Sequence, residues 1–495
     1  MSVPQDRVSR DEALRVGGMA VPKEYLPQTN NDGARVQHSL IVRRERKRFL
    51  PNNNQSPSIN IGGSSPSSQT DVNIPLQLGG ALLDTPSTCL NYNLKLTSSD
   101  ANGLPFIENA SMPWRKIKVQ AGGVDIETWD YHAQQLQRNK EGSMSRDYAQ
   151  AQYSYMNDIR DRVASLSGIT STAVVSSDAA FSVGSVNDLA EVAGSTYSDL
   201  LAGINVSLKL FHMGFFSQRA YYPLGLAPIN LVAESNETVG GVLCIGGTAA
   251  LAAGTGLVVS NISASAVCPI PSQALMRRYQ EVQRKGEVPF IMPIDTVQIQ
   301  IRQAYSVSSD GTETNVSFNV ARYHLKDLRY WLQYRGQLTN ANELKTAAPS
   351  FLSAGADNKM DLQVDVGGRA IPQDQLRTDV EVYNATCESY NTEDSVSHPN
   401  LLPRNAYAST QFTSTDLAGK YVVGSCQFGL NLSEYLGDQG SRTGIDLVQN
   451  SAINLRGKFG YPSAGSATDY NWFQQARFCR VLQLQGGVLQ ATVNA

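Results

Sequence analysis

Alternation of apolar and polar residues with a period of two is the feature that most constrains the fold of this chain. The segment 72–78 reads Val-Asn-Ile-Pro-Leu-Gln-Leu, and the segment 90–96 reads Leu-Asn-Tyr-Asn-Leu-Lys-Leu. Successive side chains of a β-strand point to opposite faces of a sheet, so both segments are predicted to be half-buried strands. The same alternation recurs at 117–119, 204–210, 297–301, 316–320, 362–366 and 453–455.

The connections between these segments are long and rich in Gly, Ser, Thr and Asn. Strands joined in this way indicate antiparallel sandwiches and not a βαβ sheet. Few helices are predicted. Residues 145–166 keep helical spacing, and a shorter helix is predicted at 272–285, with Ser272 at its N-cap and Gly286 beyond its end. We expect the shorter helix to connect two domains.

An internal repeat supports a division into two similar domains. The segment LNYNLKL at 90–96 matches LRYWLQY at 328–334, and VQAGGVDI at 119–126 matches VDVGGRAI at 364–371. Each match is short, but the two occur in the same order and at nearly the same offset. This pattern favours two copies of one β-domain.

Charge is scarce in this chain and unevenly placed. Charged residues make up 17% of the sequence, against about 25% in an ordinary soluble domain. The formal net charge at pH 7 is −3, yet residues 1–50 carry ten Lys and Arg against six Asp and Glu. The basic excess is therefore confined to an N-terminal arm. The arm ends in the run Arg-Arg-Glu-Arg-Lys-Arg at 43–48, and residues 51–71 have the composition of a linker.

The basic run is the one strong candidate for a binding site. Lysine and arginine side chains bind the phosphates of nucleic acids and anionic membrane leaflets. The candidate residues are Arg43, Arg44, Arg46, Lys47 and Arg48. A run that is solvated, or docked on a neighbouring subunit, is the alternative, and no aromatic residues interleave with the charges to stack on bases.

The sequence lacks the motifs that carry enzyme chemistry. The five histidines are at least 74 residues apart, and the six cysteines form no CxxC pair. There is no Gly-x-Ser-x-Gly elbow, no Walker loop and no His-Glu-x-x-His motif. Glu393 and Asp394 are interpreted as solvated loop residues, and each histidine as a surface or packed residue. We therefore predict no catalytic residue, no metal, no cofactor and no enzymatic activity.

One segment is apolar enough to suggest a membrane span. Residues 238–276 contain no charged residue, and residues 239–259 are long enough to cross a bilayer. Glycines divide this stretch into short apolar pieces, which is typical of strands and turns, so we expect buried β-structure there. The N-terminus lacks the apolar core of a signal peptide, and we interpret the cysteines as small buried residues in a reducing compartment.

The order of several longer segments resembles one known family. In the first half these are GGALLDTPSTCLNYNLKLT at 79–97, NASMPWRKIKVQAGGVDIETWDYHAQQL at 109–136 and YYPLGLAPINLVAE at 221–234. In the second half they are SFNVARYHLKDLRYWLQYR at 317–335, DLQVDVGGRAIP at 361–372, the segment 428–459 and RVLQLQGGVLQATV at 480–493. Together they are similar to the double jelly-roll major capsid proteins of eukaryotic double-stranded DNA viruses, which include giant viruses, virophages and polinton-like viruses.

The resemblance implies an all-β fold of two consecutive eight-stranded antiparallel jelly rolls, with few short helices and an extended N-terminal arm. The predicted domains are a basic arm and Ser-rich linker at 1–70, a first jelly roll at 71–271, a connecting helix at 272–286 and a second jelly roll at 287–495. The low overall charge agrees with a surface that is largely buried between subunits.

The resemblance also implies a structural function. The expected protein is a major capsid protein whose homotrimers form pseudo-hexagonal capsomers and tile an icosahedral virion shell assembled in the host cytoplasm or nucleus. The implied partners are neighbouring capsomers, minor capsid and penton proteins, and the inner membrane or genome through the arm. A carbohydrate-binding or carbohydrate-active β-sandwich is the alternative, and a membrane-inserted protein using 239–259 is a third hypothesis.

Overall fold

The structure of this chain is a computed structural model. It describes residues 28–29, 35–36, 41–52, 57–67, 70–97, 104–143, 197–218, 221–225, 227–245, 251–284, 291–303, 313–320, 325–339, 341, 345–346, 348, 360–390, 426–432, 452–459, 470–485 and 488–492. The predicted helix at 145–166 and the carboxylates Glu393 and Asp394 lie outside these residues.

Most of the described residues are in β-strands, as the alternation predicts. The strands of the first half are β1 (Gln28–Thr29), β2 (Arg35–Val36), β3 (Ile41–Phe49), β4 (Ile59–Gly62), β5 (Asp71–Leu76), β6 (Leu83–Leu96), β7 (Pro105–Phe106), β8 (Trp114–Ala121), β9 (Val124–Asp130), β10 (Ile204–Lys209), β11 (Tyr221–Tyr222), β12 (Ile229–Ser235), β13 (Cys244–Ile245) and β14 (Gly256–Pro271). The strands of the second half are β15 (Ile291–Gln303), β16 (Glu313–Asn319), β17 (Leu325–Tyr334), β18 (Leu362–Val366), β19 (Arg369–Leu376), β20 (Phe428–Asn431), β21 (Ala452–Lys458), β22 (Tyr470–Gln485) and β23 (Val488–Thr492).

Several helices accompany these strands in the described residues. They include the α-helices α1 (His132–Ser143), α2 (Gln273–Arg284) and α3 (Asp379–Ser389) and the 3₁₀ helices Val239–Gly241 and Arg335–Leu338. Residues 197–202 are also α-helical. The shorter predicted helix is confirmed as α2, between β14 and β15. The Ser272 hydroxyl accepts a hydrogen bond of 3.4 Å from the backbone N–H of Leu275, so Ser272 caps the helix as expected.

Each half forms two antiparallel sheets of a jelly roll. In the first half the strand orders are β10-β6-β14-β3 and β5-β12-β8-β9, and in the second half they are β20-β17-β22-β15 and β16-β21-β18-β19. When the eight main strands of each half are ranked along the chain, both halves have the orders 6-3-8-1 and 2-7-4-5. The prediction of two eight-stranded jelly rolls is therefore confirmed, and the sequence repeat is a repeat of this topology.

The repeated Gly-Gly pair forms the same hairpin in both halves. Gly122 and Gly123 join β8 to β9, with φ angles of +58° and +82°, and Gly367 and Gly368 join β18 to β19, with +59° and +83°. A two-residue hairpin with positive φ at both positions has the backbone of a type I′ turn, which glycine adopts without steric cost.

The jelly rolls have two separate apolar cores. The first contains alternating residues of its sheets, such as Leu90, Tyr92 and Leu94 of β6, and the second contains their counterparts Leu328, Tyr330 and Leu332 of β17. The first core also includes Ile294, Val297 and Leu482 of the second half. The two halves are thus packed directly on each other.

The uncharged stretch at 238–276 is mainly β-structure where it is described, apart from the 3₁₀ helix Val239–Gly241 and the first residues of α2. It contains β13 and the long strand β14, whose side chains are mostly buried, and this confirms the interpretation drawn from its glycines. None of the helices in the part of the chain that the structure describes is long and apolar enough to cross a membrane.

The first jelly roll begins earlier in the chain than the sequence indicated. Strand β3, which carries the basic run, pairs with β14 along its whole length, and β4, inside the supposed linker, pairs with the other end of β14. The sequence did not indicate these two strands, because β3 is highly charged and β4 lies in a segment with the composition of a linker. We keep the division into arm, two jelly rolls and connecting helix as a proposal, with residues 41–62 moved from the arm to the first jelly roll.

Candidate functional site

The basic run lies at the edge of a sheet, as the outermost strand β3. Ile41 and Phe49, at its two ends, are buried in the first core. Residues 43–49 of β3 pair with residues 264–270 of β14. Edge strands commonly carry charged side chains, because such charges block unwanted pairing with other chains. Because β3 is hydrogen-bonded to β14, the five basic residues have fixed positions on a sheet.

Three arginines of β3 lie on the outer face of the sheet and are exposed. Arg44 donates a hydrogen bond of 3.0 Å to the Tyr221 hydroxyl, and Arg48 donates one of 3.0 Å to Ser263 Oγ. Arg46 donates one of 3.4 Å to Ser265 Oγ. The guanidinium groups of Arg46 and Arg48 thus bond to the neighbouring strand β14, and that of Arg44 bonds to β11. Each guanidinium group has five N–H donors, more than these bonds use.

The alternate side chains of β3 form an ion-pair cluster on the core side of the strand. Glu45 Oε1 lies 2.7 Å from Arg43 Nε, and Glu45 Oε2 pairs with Lys47. The hydrogen bond from Lys47, together with the charges of Arg43 and Lys47, lowers the pKa of Glu45 below its ordinary value. Glu45 thereby neutralises part of the positive charge of Arg43 and Lys47. It forms no ion pair with the three outer arginines.

The rest of this outer face is polar. Asn91 of β6 donates a hydrogen bond of 2.9 Å to Ser265 Oγ, and Asn93 donates one of 3.2 Å to Asn205 Oδ1 of β10. Lys95 lies further along β6 and is exposed. We call this surface, formed by β3, β14, β6 and β10, the basic face.

The equivalent face of the second jelly roll is buried against the first jelly roll. Trp331 of β17 and Phe473 of β22 are buried there, stacked at 5.4 Å between ring centroids. Tyr131, which follows β9 of the first jelly roll, packs edge-on against Phe473 at 5.4 Å. Ile299 and Ile301 of β15 also pack against this cluster.

Helix α1 supplies the polar part of the contact between the jelly rolls. All seven side chains from His132 to Arg138 are buried, and five of them are polar. Gln475 of β22 donates a hydrogen bond of 2.7 Å to Gln135, and Arg329 of β17 donates one of 2.8 Å to Asn139, one helical turn later. Buried polar groups are stable only when they are hydrogen-bonded, so α1 fits this sheet specifically.

Two buried carboxylates link distant parts of the chain. Glu108 accepts hydrogen bonds of 2.8 Å from both the backbone N–H and the hydroxyl of Thr346, across the contact between the halves. Glu127 of β9 accepts hydrogen bonds from the backbone N–H groups of Gly214, at 2.8 Å, and Phe215, at 2.7 Å. Burial raises the pKa of Glu127 above its ordinary value, although these donors oppose the shift.

His132 and His212 form a pair that the sequence did not reveal. Their Nε2 atoms are 2.8 Å apart, and the ring of Trp129 lies 5.0 Å from that of His212. Burial lowers the pKa of His132 to about 3, and burial together with His132 lowers that of His212 well below 6.5. Both rings are therefore neutral at pH 7, with one donating to the other. The two histidines are 80 residues apart in the sequence, so their spacing along the chain does not predict the contact.

The described residues contain no group of three or more His, Cys, Asp or Glu that could hold a metal ion. His38, His324 and His398 lie outside them. All six cysteines are free, and all but Cys479 are buried, in agreement with their interpretation as small buried residues. The features that remain are two surfaces: the basic face, and the contact between the two jelly rolls.

No protein-family model and no curated protein matches the sequence. Solved structures match the fold. PBCV-1 VP54, fitted into a cryo-EM reconstruction of the virophage Sputnik, aligns with a TM-score of 0.54 and 11% identity over 93% of this chain and 99% of that chain. The cryo-EM structure of the Sputnik virophage aligns at 0.53 and 10% identity over 96% and 92%. The Faustovirus major capsid protein aligns at 0.50 and 10% identity over 89% and 90%.

These similarities extend over nearly the whole length of both partners. The chain therefore has the double jelly-roll fold, and the solved structures to which it is similar are viral capsid proteins that share this fold.

Proposed function

We propose that this chain is a structural major capsid protein, whose homotrimers form pseudo-hexagonal capsomers that tile an icosahedral virion shell. The observation that carries the proposal is the identical strand order of the two jelly rolls within one chain. Three copies of such a chain provide six similar units around one axis, which gives near-sixfold neighbours in a shell. The fold similarity to capsid proteins supports the same function.

Under this proposal the protein acts by packing and not by catalysis. Its partners are other copies of itself, neighbouring capsomers, and minor capsid and penton proteins, and its location is the virion shell. The contact between the jelly rolls supports this role, since it is extensive, hydrogen-bonded and buried at α1.

Electron microscopy of the purified full-length chain tests the proposal. We expect particles with threefold symmetry and a pseudo-hexagonal outline, alone or in sheets. Particles of single-chain size at micromolar concentration would contradict the proposal. A glycan array and a hydrolase screen on the same material address the carbohydrate alternative, which would be favoured by specific glycan binding or turnover.

A further inference from the structure

We infer that His132 and His212 form a pH-sensitive switch at the contact between the two jelly rolls. While both rings are neutral, the pair holds segment 211–217 in this contact, and protonation in acid releases the segment. The inference goes beyond the proposed function, because assembly by packing does not require a subunit that responds to pH.

Segment 211–217 lies just after β10, in the contact between the jelly rolls. The backbone of Gly214 is so close to the backbone carbonyl of Asp295 in β15 that an added Cβ atom would overlap it. Phe215 is fully buried, in the apolar core that also contains Ile294 of β15. Displacement of this segment would therefore loosen the packing of the second jelly roll on the first.

Two ionisable side chains of the first jelly roll hold this segment in place. Glu127 of β9 accepts hydrogen bonds from the backbone N–H groups of Gly214, at 2.8 Å, and Phe215, at 2.7 Å. His132 of α1 contacts His212 of the segment, with 2.8 Å between their Nε2 atoms. Because both attachments involve groups that gain or lose a proton, the position of the segment depends on pH.

The geometry of the pair fits neutral rings. At 2.8 Å, one hydrogen atom fits between the two Nε2 atoms, so one ring donates and the other accepts. If both rings were protonated, two N–H groups would face each other. His132 Nδ1 is buried and has no hydrogen-bond partner in the part of the chain that is described, so a proton there would have no acceptor. Both rings can therefore become charged only when they separate.

Burial disfavours the charged form of both rings. Burial alone lowers the pKa of His132 to about 3. Burial together with His132 lowers the pKa of His212 well below 6.5, and a hydrogen bond to the backbone carbonyl of Lys209 opposes this only in part. A ring that leaves this environment regains an ordinary pKa and takes up a proton in mild acid.

Three carboxylates on the elements around the pair have other partners. Asp130 pairs with Lys116 at 2.9 Å, Asp295 pairs with Lys326 at 2.6 Å, and Glu127 is bonded to the backbone of the segment. The charged side chains on these elements are Asp125, Glu127 and Asp130 of β9, Arg138 of α1, Lys209 of β10, Asp295 of β15 and Arg480 of β22. The three paired carboxylates do not serve as counter-ions for the histidines.

Glu127 does not account for opening in acid. Burial raises its pKa, although its N–H donors and the charge of Arg480 oppose the shift. A carboxyl group whose pKa is raised by folding binds its proton more tightly in the folded chain, so its contribution favours the folded form as the pH falls. The histidines have the opposite sign, because folding lowers their pKa values. The response to acid is therefore assigned to the pair.

Hydrogen exchange of the full-length chain, measured by mass spectrometry in peptides that cover segment 211–217, tests the inference. The measurements run from about pH 5.5 to about pH 4, between the ordinary and the lowered pKa of a histidine, and are corrected for the intrinsic exchange rate. Each proton taken up on opening raises the opening equilibrium constant about tenfold per pH unit. The rise per pH unit should therefore be about tenfold smaller in His132→Gln or His212→Gln than in the wild type, and about 100-fold smaller in the double variant. Glu127 is present in all of these chains, so its opposing contribution cancels in the comparison.

Gly214→Ala is the matched control, because it loosens the same contact without removing a ring. It should raise exchange at every pH and keep the wild-type dependence on pH. Peptides that cover residues 328–332 of β17, in the second core, should stay protected, as expected for local opening. The same pH dependence in the wild type and in both single histidine variants would overturn the inference, and so would opening that extends to residues 328–332. The mass of the assembly tests the proposed function separately, since none of these outcomes depends on it.

Discussion

The Nε2 atom of His132 lies 2.8 Å from the Nε2 atom of His212, in a pocket where His132 is fully buried. Burial lowers the pKa of His132 to about 3, from an ordinary value of 6.5. A group whose pKa is lowered by folding contributes stability above its unfolded pKa and loses that contribution as the pH falls toward the folded pKa.

We therefore expect the free energy of unfolding to fall between pH 6.5 and about pH 3. The contribution of His132 is at most about 1.4 kcal/mol per pH unit, since one proton is taken up on unfolding. Urea denaturation of the wild type and of His132→Gln at several pH values measures it. The variant should show a shallower loss over this window, and equal slopes would contradict the assignment.

Gly214→Ala should destabilise the contact between the jelly rolls. A Cβ atom at Gly214 would lie far inside van der Waals contact with the backbone carbonyl of Asp295 in β15. We expect a loss of about 1–3 kcal/mol, as for overpacking elsewhere, measured by denaturant unfolding. Gly79→Ala is the matched control, because a Cβ atom there meets no atom within 4 Å. An equal effect of both substitutions would argue against close packing at Gly214.

The two Gly-Gly hairpins should respond alike to substitution. Gly123 and Gly368 have φ angles of +82° and +83°, and open space surrounds the position of a Cβ atom at each. Alanine at either position should therefore cost about 1–2 kcal/mol through backbone strain alone. Thermal unfolding of Gly123→Ala and Gly368→Ala measures this. A loss at one hairpin only would show that the two turns are not equivalent.

Deleting residues 1–50 should destabilise the first jelly roll. The deletion removes β3, and with it the burial of Ile41 and Phe49 over β14. Loss of two large buried side chains costs about 3–6 kcal/mol. Unfolding measurements should be compared with a deletion of residues 1–27, which ends before the first described strand. Equal stability of the two truncated chains would contradict the place of β3 in the sheet.

Much of the fold could be predicted from the sequence. The segments 72–78 and 90–96 lie in β5 and β6 because alternating apolar residues face one core. The repeated segments 119–126 and 364–371 predicted two similar domains, and the structure has the same Gly-Gly hairpin in both. Helix α2 was predicted from its cap and its apolar spacing.

Strand β3 and helix α1 were missed for physical reasons. In β3 the arginines face solvent and Glu45 neutralises part of the inner side, so its period is masked by charge. In α1 the buried residues are mostly polar, and one of them, Gln135, accepts a hydrogen bond from the side chain of Gln475, 340 residues away. No periodicity of α1 could reveal that burial, because its partners are set by the packing of the second jelly roll.

The mass of the assembled full-length chain tests the central claim most directly. Native mass spectrometry at micromolar concentration and near-neutral pH should show a species of about 160 kDa, three times the 53.7 kDa of one chain. The trimer should persist on dilution, as expected for an obligate interface. A folded chain that remains at the mass of a single copy under these conditions would contradict the account.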